Sequence, residues 1–122
     1  MSKIITSFAV IFATLSVSAC NTTPSSTSLV YISDGYVQCE TPAMSLDMTR
    51  SLLTEVGINV ITSHCAHIAD LAVISMCGAG GTGIHLHEIA SQDNNKATAA
   101  GFDNVSKLTE QSLNYEIIDC EL

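Results

Sequence analysis

The sequence predicts a small α+β sandwich, with an antiparallel sheet of four to five strands and two helices on one face. Three observations predict it. The stretch Gly83-Ile84-His85-Leu86-His87-Glu88-Ile89 alternates with period two, as a sheet strand does. Ser45 to Gly57 carries helical start and stop signals around an apolar stripe. From Leu29 onward about 94 residues remain, one domain's worth, and strand-like and helix-like runs succeed one another along them.

Leu29-Val30-Tyr31-Ile32 is β-branched or aromatic and opens the domain as a strand, which Tyr36-Val37-Gln38-Cys39 could continue past Asp34-Gly35. Thr41-Pro42 breaks the chain. Ser45 then suits a helix N-cap, Asp47 complements the first turn, and Gly57 supplies the stop. Met48, Leu52, Leu53 and Val56 are expected on the buried face of that helix. Ile58 to His64 is a strand by composition. Cys65 to Cys77 reads either as a further strand over Leu71–Met76 or as a long hairpin excursion. A second helix is expected between Gln92 and Leu108, with Asp93 as N-cap and an interruption at Gly101. Tyr115 to Leu122 closes the chain as a strand.

With the ambiguous strand set aside, the order is βαββαβ, which is the topology of a ferredoxin-like sandwich. Beyond Cys20 the chain has four cysteines, Cys39, Cys65, Cys77 and Cys120. Four cysteines allow three pairings. In the ferredoxin-like topology Cys65 and Cys77 fall at one edge and Cys120 toward the other. A Cys65–Cys77 bridge is therefore expected. It leaves Cys39–Cys120 strained unless Cys39 lies past its strand in a loop.

The first residues read as a targeting segment. Lys3 precedes an apolar stretch from Ile4 to Leu15, short of the ~20 residues that span a bilayer as a helix. Val17-Ser18-Ala19-Cys20 follows: one aliphatic residue, two small ones and a cysteine. The segment resembles a bacterial lipoprotein signal peptide. The resemblance covers the targeting segment alone. It implies cleavage before Cys20, a diacylglycerol on the Cys20 sulfur and an acylated amino terminus, which together make a stable membrane anchor. Asn21, where aspartate would retain the protein at the inner membrane, implies sorting to the outer membrane, facing the periplasm. The expected organisation is residues 1–19 as signal peptide, 20–28 as the lipidated cysteine and a flexible Ser/Thr tether, and 29–122 as one domain. The tether Asn21–Ser28 has no apolar side chain to bury.

Past the signal, Arg50, Lys96 and Lys107 face twelve acidic side chains. Such a chain repels phosphate backbones and anionic lipid, so no nucleic-acid partner is expected and the acyl chains must do the anchoring. The oxidising compartment makes disulfides the default state of the four domain cysteines.

The run Cys77-Gly78-Ala79-Gly80-Gly81-Thr82-Gly83 contains a GxGxxG spacing. A dinucleotide loop needs a helix directly after it, whereas a strand pattern begins there, so no nucleotide is expected. The glycines read as a turn that uses positive φ. His85 and His87 point to one side of their strand, and His64 and His67 flank Cys65. If the two strands pair, imidazoles could converge on zinc or copper, which is the alternative reading. In the plainer reading the histidines are solvated on an exposed face. There is no GxSxG, and Glu88 points away from His87, so no catalytic residue is assigned. The sequence thus leads to a non-enzymatic, membrane-anchored envelope lipoprotein without a cofactor, which binds a protein or another envelope component.

Overall fold

The structure, a computed structural model, describes residues 25–120. The expected signal peptide, Cys20 and the start of the tether lie outside the described residues. Among those residues, five strands form one sheet: β1 (Thr27–Ser33), β2 (Val60–Ala69), β3 (Gly83–Ala90), β4 (Asp103–Asn104) and β5 (Asn114–Ile118). Their order is β4-β1-β3-β2-β5, and every neighbouring pair is antiparallel. The helices are α1 (Leu46–Thr54), α2 (Asn94–Ala99), entered through a 3-10 turn at Ser91–Asp93, and α3 (Ser106–Glu110).

The α+β class is as expected, and the first four strands follow the 4-1-3-2 order of a ferredoxin-like sheet. Two positions differ from expectation. The place beside β1 is taken by the two-residue β4, whose Asp103 and Asn104 pair with Tyr31 and Val30. The C-terminal strand β5 lies instead on the outer side of β2. The sheet also starts earlier than expected, because Thr27 and Ser28 already pair with Ala90 and Ile89. Their side chains are engaged there: Thr27 Oγ1 donates to Glu88, and Ser28 Oγ bonds to Ser91.

Ser45 caps α1, its hydroxyl accepting from the Met48 N–H at 3.2 Å. All three helices end in the same way. A left-handed residue (Gly57, Gly101 or Ser112) is followed by an apolar one, whose N–H reaches back to a carbonyl five residues earlier. Ile58 bonds Leu53 O, Phe102 bonds Ala97 O, and Leu113 bonds Leu108 O. This geometry satisfies an end carbonyl and brings two apolar side chains together. Leu53, Ala97 and Leu108 are all buried, as are Ile58 and Phe102.

The core is split by the sheet. On one face α1 and α2 cover Val30, Leu53, Ile58, Val60, Ile89, Ala97 and Phe102. On the other, α3 packs Leu108 against Ala66, Ile84 and Leu86. The central strand β3 is therefore buried on both sides. The buried side of α1 is Thr49 and Leu53, while Met48, Leu52 and Val56 are exposed. This rotation differs from the expected stripe, and it sets Thr49 against β3.

The four described cysteines form two disulfides, Cys39–Cys77 and Cys65–Cys120. The expected Cys65–Cys77 bridge is not the one formed. Because β5 sits beside β2, Cys65 stands level with Ile118, two residues before Cys120. Cys77 instead closes the excursion between β2 and β3 onto the turn after β1. There Gln38 donates its side-chain amide to Ile74 O and accepts from the Met76 N–H. Leu71–Met76 forms no strand.

Candidate functional site

Four side chains from three elements form a polar seam between α1 and the sheet. His85 and His87 point from β3 toward α1, Ser63 stands opposite His87 on β2, and Thr49 comes down from α1. Thr49 Oγ1 lies 2.9 Å from His85 Nδ1, 2.9 Å from His87 Nε2 and 3.0 Å from the Leu46 carbonyl. Ser63 Oγ lies 2.7 Å from His87 Nδ1.

A hydroxyl has one proton and two lone pairs, so Thr49 Oγ1 can serve both rings and the Leu46 carbonyl at once, and the ring tautomers set which partner donates in each bond. Ser63 completes the set at His87 Nδ1, so both nitrogens of the buried His87 ring are matched, as burial demands. His87 is fully buried, and its ring meets Phe102 edge-on with centroids 5.8 Å apart. Burial, helped by the nearby His85 and Arg50, lowers the His87 pKa from 6.5 to about 4. Burial lowers that of His85 as well, against an opposing pull from Asp34. Both rings are thus neutral at pH 7.

His85 has one nitrogen left over. Its Nε2 makes no hydrogen bond among the described residues, although only 5% of the residue is exposed. His85 lines a pocket of ≈ 420 Å³ between the start of α1 and the β2–β5 edge. Ala43, Met44 and Leu46 form one wall, and Ile118 with the Cys65–Cys120 disulfide forms the other. Asp34, Asp47 and Asp119 also line it, and among the described residues no lysine or arginine does. Asp34 is fixed in place: its carboxylate accepts from the Tyr36 N–H and packs onto Gly83, where a Cβ would overlap it. Gly83 is therefore a close-approach glycine, and only Gly78 in that loop uses positive φ.

The four histidines named from the sequence are not brought together. The β2–β3 pairing does occur, but His64 faces the opposite side of the sheet and is exposed. His67 stands level with Gly83 and contacts Glu116 at 3.4 Å. Among the described residues no group of three or more His, Cys, Asp or Glu is placed to hold a metal. His85 and His87 are buried against hydroxyls, not solvated on an open face. Glu88 is on the other face from them, accepting from Thr27 and Thr62. Thr49, Ser63 and Asp119 carried no sequence signal, and Asp34 and Asp47 carried only those of a turn and a helix start, since these residues come together only in the folded chain. No family model, curated protein or solved structure matches this chain.

Proposed function

We propose that this chain is a lipid-anchored domain of the bacterial envelope with a non-catalytic binding role, its site the pocket beside α1. One observation carries the anchoring part. Of five cysteines, four are consumed in Cys39–Cys77 and Cys65–Cys120, and the fifth, Cys20, stands at the lipobox. Two disulfides in a small domain suit an oxidising compartment, and a cysteine left outside that pairing suits acylation. Asn21 supports the outer membrane as destination.

The binding part rests on the pocket, which has the size and the mostly apolar walls of a ligand site. A non-catalytic role is supported by the polar groups around it. Among the described residues no hydroxyl or thiol is hydrogen-bonded to His85 Nε2, the Ser45 hydroxyl is used as a helix cap, and the described cysteines are oxidised. The test compares the native protein with Cys20→Ala after cell fractionation. Native protein is expected in the membrane fraction with the mass of its acyl chains, and the variant in the soluble fraction without it. An unacylated native protein with four free thiols would overturn the reading. Turnover of a peptidoglycan or ester substrate, lost in His85→Gln, would overturn the non-catalytic role.

A further inference from the structure

The two disulfides stand in different surroundings. Cys65–Cys120 joins a buried residue of β2 to the chain just past β5, and the five paired residues of those strands hold its ends in place. Cys39–Cys77 joins two loops, and both of its residues are exposed. Cys77 follows residues 71–76, which have no regular structure. Cys39 lies in the turn of residues 37–40, closed by the Glu40 N–H on Val37 O at 3.1 Å. Its φ is 66°, at the third place of the turn, where a turn of this kind uses glycine or asparagine. Among the described residues two other non-glycine residues have positive φ, Ser112 at the end of α3 and Asp70 at the start of the excursion. A helix end calls for that conformation, and aspartate visits it readily. Cys39 has neither reason. It is held there by the bonds around it, and the bridge to Cys77 is one of them.

We propose that Cys39–Cys77 is a thiol–disulfide exchange site, opened by a dithiol reductant while Cys65–Cys120 stays closed. A thiolate of the reductant bonds to one of the two sulfurs, the S–S bond breaks, and the other sulfur leaves as a thiolate that takes a proton. The reductant's second thiolate then attacks the mixed disulfide and frees the first sulfur. The protein gains two electrons and two protons, and the dithiol becomes a disulfide. The bonds of the loop select the class of reductant. Gln38 holds Ile74 O and the Met76 N–H with its side chain, and Ala79 O and the Gly78 N–H with its backbone. The excursion therefore stays docked after the first attack, and the freed cysteine remains beside the mixed disulfide. That cysteine expels a monothiol again, because it acts at a high effective concentration. A dithiol escapes this reversal by using its own second thiol. The chain is the substrate of the exchange and not its catalyst. Leu71, Val73, Ile74 and Met76 feel the result, since these exposed apolar side chains ride on the excursion that the bridge pins to the turn. Once opened, the excursion is held there by hydrogen bonds alone.

The test uses the intact oxidised protein in neutral detergent micelles, with dithiothreitol as the dithiol and 2-mercaptoethanol as the monothiol. Samples are quenched with excess N-ethylmaleimide, and peptide mass spectrometry measures the label at each cysteine. Cys39 and Cys77 are expected to be half-labelled at a dithiothreitol concentration about tenfold or more below that needed for Cys65 and Cys120. The circular dichroism should stay unchanged at that point, while amide hydrogen exchange rises within residues 70–82. At the same thiol concentration 2-mercaptoethanol should leave the native bridge closed. In Gln38→Ala, which loosens the excursion, its mixed disulfide should accumulate; if that variant does not fold, the native comparison of the two reductants carries the test. Label arriving at all four cysteines together, or first at Cys65 and Cys120, would overturn the proposal. Label that appears only as the circular dichroism is lost would do the same. Equal opening of the native bridge by 2-mercaptoethanol would overturn the assignment to a dithiol. None of these outcomes depends on a ligand in the pocket or on acylation of Cys20, so the two readings fail separately.

Discussion

The two faces of β3 are built from residues at the same spacing but with opposite chemistry. Toward α3, Ile84 and Leu86 meet Ala66 and Leu108 in a cluster with no polar member. Toward α1, His85 and His87 meet Thr49 and Ser63, and the three buried polar residues of the described domain all lie there. Apolar packing is non-directional, so the α3 face resists change by volume alone. The α1 face adds a requirement for direction, because one hydroxyl must meet two rings and a carbonyl. The difference suggests a division of labour: one face holds the sheet, and the other fixes α1 in a single rotation over the pocket.

The largest effect is expected from Leu86→Ala, which opens a cavity at a fully buried position and should cost about 2–5 kcal/mol in urea unfolding. Acid should act next, and on the other face only. The unfolded chain protonates His87 near 6.5, whereas the folded chain holds it neutral down to about 4. The stabilising term is therefore complete above pH 6.5 and is lost as the pH falls from 6.5 toward 4, reaching about 3 kcal/mol. Lowered protonation of His85 works in the same direction. The informative window is pH 6.5 to 5, above the carboxylate range, where His87→Gln should flatten the slope. An equal slope in native protein and variant would remove the electrostatic half of the comparison.

Thr49→Val keeps the shape and removes the shared hydroxyl, leaving two buried ring nitrogens unmatched. The expected loss is about 1–3 kcal/mol, with Thr49→Ser close to native. If Thr49→Val proves more costly than Leu86→Ala, the ranking of the two faces reverses. The smallest effect belongs to the outer side of α1. Met48→Gln, at a side chain 56% exposed, should change stability by less than about 0.5 kcal/mol.

The same contrast explains what could be read from the residues beforehand. The period-two run at Gly83–Ile89, the Ser45 cap and the Gly57 stop act locally, and all three appear where the sequence places them. The rotation of α1 was not readable in this way. Met48, Leu52 and Val56 form the more apolar stripe, yet Thr49 turns inward because two imidazoles on a distant strand need its oxygen. Likewise β4 is too short to leave a pattern, and it displaces β5 to the far edge. That shift brings Cys120 to Cys65 and frees Cys77 for Cys39. The seam itself was hidden because histidine, threonine and serine are residues that composition assigns to the surface.

The register of β1 also bears on orientation. Thr27, where the strand begins, is level with Ala90, whereas Ile32 is level with His85 at the pocket. At ~3.4 Å per residue these two stations are about 17 Å apart. A leash tied upstream of Thr27 would grip the domain at one pole and leave the mouth toward the other. Cargo would then be met from the aqueous side, clear of the lipid headgroups.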